Sequence, residues 1–178
     1  MLQAILENVT QLSFSDLMQQ IVLRPLGVQR SFYGTLPDNE HSFAKAHVTG
    51  DTPANADLHI LPELAAAGLW TTPSDLLQCI KSVEESLHSD AFLEQKWAKM
   101  MLTEVNVMAR GWRVQNNVFH HTGPNEPGYE CIADGFADGG ELLATGNKSS
   151  AGCRDCGYSI MHKFVARAGI LHQDVDGD

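Results

Sequence analysis

The chain has 178 residues, 43% hydrophobic and 19% charged, as is ordinary for one globular domain with a sizeable core. Its 12 basic and 22 acidic residues give a formal charge of -10, so the protein repels phosphate backbones and nucleic acid is a poor partner. No apolar run approaches the length of a membrane span.

The first 24 residues are predicted to form a helix in two pieces. Ser13 followed by Asp16 resembles a capping box that restarts the helix, and Pro25 with Gly27 ends it. We expect both apolar stripes of this region to pack into the core. The stripes consist of Leu2, Ile5, Leu6 and Val9, and then of Phe14, Leu17, Met18, Ile21 and Val22.

The same N-terminal spacing lacks the basic region and apolar core of a signal peptide. As given, the chain is therefore expected to stay in the cytoplasm.

The middle of the chain alternates loops and helices. Residues 28–62 show weak periodicity and several Gly and Pro residues, which predicts a long loop. Thr72-Pro73-Ser74-Asp75 predicts a helix start with Thr72 as the cap, and the helix should run to about Leu87. A further helix is predicted from Asp90 to Met101. Its buried side is expected to contain Phe92, Leu93, Trp97, Met100 and Met101.

The pattern then changes to alternation, which predicts antiparallel strands. Residues 111–115 and 118–121 flank Asn116-Asn117, a two-residue hairpin turn. Residues 129–136 and 141–145 form a second hairpin around Asp138-Gly139-Gly140. Residues 156–168 are predicted to close the chain as an amphipathic helix. The order indicates an α+β fold with helices packed on an antiparallel sheet, over residues 1–172, followed by an acidic tail at 173–178.

Cysteine spacing argues against a metal site. Only Cys153 and Cys156 form a C-x-x-C pair, and a structural zinc site needs four ligands, usually from two such pairs. We therefore predict no metal and no cofactor. A redox or disulfide role for this pair is left open beside a plain structural one.

Several segments, in this order, resemble the serine β-lactamase and penicillin-binding-protein family, which includes class C β-lactamases, D-alanyl-D-alanine carboxypeptidases and esterases. The similarity covers nearly the whole chain and implies a partial β-lactamase/transpeptidase-like fold. The matching segments are Leu2–Thr10, Pro25-Leu26-Gly27-Val28, Ala66–Leu76, Gly111-Trp112, His121-Thr122-Gly123 and Gly128-Tyr129.

The resemblance implies a substrate-binding strand. His121-Thr122-Gly123 stands where the family has K-T-G, H-T-G or H-G-G, a triplet that orients the substrate. The residue after the triplet donates a backbone N–H to the oxyanion in this family. Here it is Pro124, which has no N–H, so we expect the N–H of Asn125 to replace it if the loop is shifted. His120 and His121 should face opposite sides of the strand.

The family's S-x-x-K and Y-x-N segments should precede the first helix, and neither appears there. Ser42-Phe43-Ala44-Lys45 spells S-x-x-K but follows the P-L-G segment, and Tyr158-Ser159-Ile160 lacks the Asn. We therefore predict no catalytic residue in this chain.

The resulting hypothesis is the C-terminal fragment of a serine β-lactamase-like hydrolase, inactive alone. Intact relatives cleave amides or esters and are usually exported, so the missing signal peptide is consistent with truncation. The expected partners are an N-terminal complementing fragment or further copies of the chain. The alternative is a non-catalytic binding or interaction domain derived from the same fold.

Overall fold

The computed structural model describes residues 1–40, 43–49, 52–53, 60–105, 108–125, 129–139 and 143–146. The predicted helix at 156–168, the acidic tail, Ser42, Tyr158, Cys153 and Cys156 lie outside these residues. The helices are α1 (Leu2–Thr10), α2 (Phe14–Met18), α3 (Leu64–Ala67), α4 (Pro73–His88) and α5 (Gln95–Leu102). The strands are β1 (Phe32–Tyr33), β2 (His47–Thr49), β3 (Thr52–Pro53), β4 (Leu69–Trp70), β5 (Arg113–Gln115), β6 (Val118–Asn125), β7 (Tyr129–Phe136) and β8 (Leu143–Gly146).

The N-terminal helix is interrupted as predicted. Gln11, at φ 57°, ends α1 in the left-handed conformation. The side chain of Ser13 accepts the N–H of Asp16 at 3.1 Å, which starts α2. The backbone N–H of Phe14 donates to the carboxylate of Glu7 at 2.9 Å and joins the two helices.

The apolar stripe of α1 is not part of the core, and that prediction is wrong. Leu2, Ile5 and Val9 are 66%, 52% and 78% exposed, because α1 packs chiefly on α2 and α3 through its other side. In the second stripe, Phe14 and Leu17 are buried as expected. Leu2, Ile5 and Val9 form an apolar face on α1 that no other described residue covers.

Ile21 also departs from the prediction, since it is 53% exposed. A π-helical turn, Gln19–Leu23, follows α2. The wider turn changes the helical phase, so Leu23 takes the inward position at 3% exposure.

The predicted loop at 28–62 contains short strands in its described parts. β1 pairs with β4 through Phe32–Trp70 and Tyr33–Leu69, and β2 pairs with β3. The pairing of β1 with β4 connects residues far apart in sequence, which a periodicity reading cannot detect.

Helix α4 begins with a polar network around Asp75. The N–H of Asp75 donates to the Thr72 hydroxyl at 3.1 Å, which confirms Thr72 as the cap. The Asp75 carboxylate accepts the Arg30 N–H at 2.8 Å and the hydroxyl of buried Ser31 at 2.9 Å. Asp75 therefore joins the start of α4, through its backbone N–H, to the segment that precedes β1, through its carboxylate.

Helix α5 begins later than predicted, at Gln95 instead of Asp90. Asp90 lies in the preceding turn, where its carboxylate accepts the Gln95 N–H at 2.7 Å. The predicted buried side is also wrong at two positions, since Trp97 and Met100 are 48% and 39% exposed. Ala98 and Leu102, at helical spacing i and i+4, face α4 in their place.

The four C-terminal strands form an antiparallel sheet in the order β5-β6-β7-β8. Asn116 and Asn117 have φ of 48° and 68°, as a type I′ turn requires, so the first predicted hairpin is confirmed. The second hairpin is confirmed too, because β7 pairs antiparallel with β8; Glu141 lies outside the described residues. The helices and the sheet together make an α+β fold.

The core lies where α4 crosses the sheet. Ile80 and Phe119 are fully buried, with Val83, Leu102 and Ala133 around them. Gly135 makes this packing feasible. A Cβ on it would overlap the Phe119 ring and lie 2.7 Å from Cγ2 of Ile80.

We expect Thr72→Ala to lower the free energy of unfolding by about 0.5–2 kcal/mol, because α4 loses its side-chain cap. Urea denaturation measures the change. Thr72→Ser keeps the hydroxyl and serves as the control. If Thr72→Ala unfolds at the same urea concentration as the parent, the hydroxyl does not stabilise α4.

We expect Gly135→Ala to destabilise the protein by about 1–3 kcal/mol, because the added methyl overpacks the contact between Phe119 and Ile80. Thermal unfolding followed by circular dichroism measures the effect. In the Gly135→Ala background, Phe119→Leu frees space and should cost less than it does in the parent. Equal costs in both backgrounds would contradict the proposed contact.

Candidate active site

Strand β6 carries the triplet His121-Thr122-Gly123 and has one open edge. β7 pairs with β6 over its full length, from Val118 to Asn125. β5 pairs only with residues 118–120. Among the described residues, the β5 side of residues 121–125 therefore has no strand partner.

The hydrogen-bond pattern shows which backbone groups face this open edge. The N–H of Ala137 donates to the carbonyl of Asn117 at 2.9 Å, so these two residues form a bonded pair. Bonded pairs alternate along an antiparallel ladder, so the odd-numbered residues of β6 direct their backbone groups toward β7. Thr122 and Pro124 consequently direct theirs toward the open edge.

Pro124 therefore occupies a backbone position that faces the open edge without supplying a donor. Only its carbonyl and the N–H and C=O of Thr122 are available there. The N–H of Asn125 is directed toward Tyr129 on β7, because pairing continues regularly to the end of the strand. The register thus offers no backbone donor from Asn125 at this edge, and its role as a substrate ligand stays a prediction.

The side chain of His121 lies on the face of the sheet that carries α4. Its ring is in edge contact with Trp112, with centroids 6.3 Å apart, and Trp112 also contacts Phe119 at 5.0 Å. His121 itself is exposed. Trp112 therefore holds an accessible imidazole next to the open edge of β6.

His120 faces the opposite side of the sheet, as strand alternation predicts. Its cross-strand neighbours are Arg113 on β5 and Asp134 on β7. Burial, followed by the charges of Arg113 and His121, lowers the pKa of His120. The two adjacent histidines therefore occupy different environments, and His121 alone belongs to the candidate site.

Gly123 lies directly opposite Cys131 of β7. A Cβ at position 123 would be 2.9 Å from Sγ of Cys131, so the thiol occupies the space that a side chain would need. A larger residue at position 123 would therefore require the Cys131 side chain to move. The exposed thiol of Cys131 lies next to the His121-Thr122-Gly123 triplet.

Aromatic residues from three segments meet at the far end of β6. Tyr129, which pairs with Asn125, packs edge-on against Trp70 at 5.5 Å, and Trp70 packs against Phe43 at 6.3 Å. Burial raises the pKa of Tyr129, and a hydrogen bond with the backbone of Ala46 partly opposes this. The cluster fixes the segment around Phe43 next to the end of the candidate strand.

The described residues bring together no metal-binding cluster, and the thiol of Cys79 is not activated. No group of three or more His, Cys, Asp or Glu side chains comes together within the described ranges. Burial, then the charge of Asp75, raises the pKa of Cys79 to about 11, so this thiol is protonated at neutral pH.

Comparison with known proteins decides the family. The Beta-lactamase family model matches residues 1–139, which is well over half of the chain. The chain belongs to the Beta-lactamase family. No curated protein matches it.

One similar solved structure is that of the octameric penicillin-binding protein homologue from Pyrococcus abyssi, with a TM-score of 0.72 at 17% sequence identity. The match covers 94% of this chain and 40% of that one, so the β-lactamase-like chain spans less than half of its relative. At this identity the likeness establishes the fold alone. The family and the β-lactamase/transpeptidase-like α+β fold expected from the sequence are thus confirmed.

The site contains residues that sequence reasoning missed. Trp112 was recognised only as part of a family segment, and Cys131 only as one of four cysteines. Trp112 could have been found by numbering the first predicted hairpin, since the turn at Asn116-Asn117 places Val114, two residues after Trp112, opposite Phe119. Cys131 pairs with Gly123 across β6 and β7, a register that neither predicted hairpin specifies. No helix in the described part of this β-lactamase-like chain is long and apolar enough to cross a membrane.

Asp134 is a buried carboxyl next to the site strand. It is 1% exposed, and its Oδ2 has no hydrogen-bond partner among the residues that the structure describes. Burial raises its pKa from the ordinary 3.8 to about 6. Because the native pKa exceeds the unfolded value, the native state binds more protons between these values. The contribution of the protonated Asp134 carboxyl to the free energy of unfolding is fully present below the unfolded pKa. It is lost as the pH rises through the native pKa.

We therefore expect Asp134→Asn to stabilise the protein above pH 7, by about 1–3 kcal/mol, and to bring no gain near pH 4. The amide keeps the shape of the side chain and cannot ionise. Urea denaturation across this pH range tests the expectation. Asp138→Asn, at an exposed turn position, is the control. A loss of stability in Asp134→Asn at high pH would mean that the ionised carboxylate has a stabilising partner.

Proposed function

We propose that this chain is the substrate-orienting C-terminal part of a serine β-lactamase-like hydrolase that cleaves amides or esters. The observation that carries the proposal is the open edge of β6 at His121, Thr122 and Gly123. An extended acyl substrate can add to such an edge through main-chain hydrogen bonds. Thr122 offers one donor and one acceptor for this purpose, and the exposed imidazole of His121 lies beside them.

The nucleophile is proposed to come from outside this chain. Serine catalysis requires a hydroxyl next to a base, with backbone donors for the oxyanion. The resemblance assigns these to S-x-x-K and Y-x-N segments that would precede residue 2. Ser42 follows the P-L-G segment, where the family has no nucleophile.

The partner that we propose is an N-terminal complementing segment, and α1 is its docking place. Ile5 and Val9 of α1 line a shallow cavity together with Met1, Ala4 and Asn8. Burying them would remove apolar surface from water at about 25 cal/mol per Å². The Pyrococcus homologue is octameric, which also supports association between copies of this chain.

Even the complemented enzyme is expected to be slow. Pro124 cannot donate to the oxyanion, and the loss of one such donor typically lowers the rate by about 10²–10³. The same observation favours the second candidate function, a non-catalytic binding domain that keeps the substrate edge and has lost turnover.

We expect the chain alone to show no hydrolysis of nitrocefin or of p-nitrophenyl esters, and no labelling by a fluorophosphonate probe. The reason is that no serine of the chain lies in a family nucleophile segment. Mass spectrometry after probe treatment is the measurement. Stoichiometric labelling of any serine, with Ser42→Ala as the matched control, would overturn the proposal that the nucleophile lies elsewhere.

Complementation distinguishes the two candidate functions. A polypeptide containing the S-x-x-K and Y-x-N segments of a relative is co-expressed with this chain, and ester hydrolysis is measured. We expect weak activity that rises with Pro124→Ser, which restores the N–H, and falls with His121→Ala. A stable complex without activity, even with Pro124→Ser, would favour the binding domain.

A further inference from the structure

Helix α5 has an exposed apolar face opposite the side that packs on α4. Ala98 and Leu102 are 0% and 9% exposed, whereas Trp97 and Met100 are 48% and 39% exposed. Trp97 and Met100 are three residues apart, so they are neighbours on the helix surface. Within the described residues this face stays uncovered.

The apolar surface continues past the end of the helix. Val105 and Met108 form an isolated bridge, with the Val105 N–H donating to the Met108 carbonyl at 2.6 Å, and they are 57% and 48% exposed. The N–H of Arg110 donates to the Met101 carbonyl at 3.2 Å, which holds this segment against the C-terminal end of α5. We call these four exposed side chains the α5 patch; they are Trp97, Met100, Val105 and Met108.

The charges around the α5 patch differ from those of the whole chain. The chain carries -10, so two copies repel each other over most of their surfaces. The residues next to the patch include three basic and two acidic side chains. They are Lys96, Lys99 and Arg110, and Glu94 and Glu104. The charges near the patch almost cancel, so two copies repel each other less there than over the rest of their acidic surfaces.

The order of these charges along the chain favours an antiparallel arrangement of the α5 helices of two copies. Lys96 lies near the start of α5, and Glu104 lies two residues beyond its end. If the α5 helix of a second copy runs antiparallel, Lys96 of each copy lies near Glu104 of the other. With a rise of 1.5 Å per residue, the remaining offset along the helix axis is within the reach of these long side chains. A parallel copy would bring equal charges together. Lys96 now contacts Glu94 at 2.7 Å, an exposed pair that exchanges partners at little cost.

We propose that the α5 patch is a two-fold interface between copies of this chain, with the α5 helices antiparallel. Trp97 of each copy packs against Met100 of the other, a contact between an aromatic ring and an adaptable thioether. Lys96 of each copy pairs with Glu104 of the other. This contact is separate from α1 and from the open edge of β6, so it is compatible with a complementing segment and with substrate.

The first test is the mass of the full chain in solution by light scattering after size exclusion, over a dilution series. We expect a dimer in equilibrium with monomer. Trp97→Glu should weaken the dimer by roughly 30-fold, as for an interface residue of large effect. Ile5→Glu, which places the same charge on the exposed face of α1, should leave the dimer unchanged. Circular dichroism and unfolding curves verify that both variants fold.

The second test uses the two-fold symmetry. Lys96→Glu and Glu104→Lys should each weaken self-association, because each homodimer contains two like-charged contacts. A mixture of the two variants should associate more tightly than either alone, because both contacts then pair opposite charges. A monomer at all concentrations up to the millimolar range would overturn the proposal. So would a dimer that is lost with Ile5→Glu and kept with Trp97→Glu, or a mixture that associates no better than its components.

Discussion

The contact of Phe119 with Ile80, across the missing side chain of Gly135, joins the sheet to helix α4. Because protein interiors are close-packed, the ring of Phe119 can reach Ile80 only if residue 135 has no Cβ. This contact fixes the face on which the odd-numbered residues of β6 lie. His121 follows Phe119 by two positions, so the core packing also determines that its imidazole points to the α4 side, next to Trp112.

The site depends on a strand that is only partly covered. β5 stops pairing after His120, and from there β6 presents one edge to solvent within the described residues. Open edges invite further pairing, which a substrate strand can supply. The sequence places a proline in this edge at position 124. Proline at an unpaired edge is a common feature that limits unwanted strand addition, because it presents no N–H there.

The uncovered surfaces follow one physical rule. A short amphipathic helix buries one side against its neighbours, and its outward side is usually polar. Where the outward side is apolar instead, it is exposed to solvent unless a partner covers it. α1 and α5 each have apolar side chains on the outward side, although they differ in surroundings. The face of α1 lines a shallow cavity of apolar character. The α5 patch lies among charges of both signs, as the proposed contact with a second copy requires.

The sequence by itself determined the elements whose causes are local. Thr72 and Asp75 cap α4 through atoms three residues apart, Ser13 restarts α2 in the same way, and Asn116-Asn117 adopt the positive φ of a tight hairpin. The order of the family segments likewise identified the fold and the His121 strand. Tertiary structure alone decided what depends on distant residues. It determined which side of α1 and of α5 is buried. It also determined that a π-helical turn brings Leu23 inward in place of Ile21, and that Gly123 lies opposite Cys131. These outcomes depend on which surfaces meet, and periodicity in one chain segment contains no information about its partner.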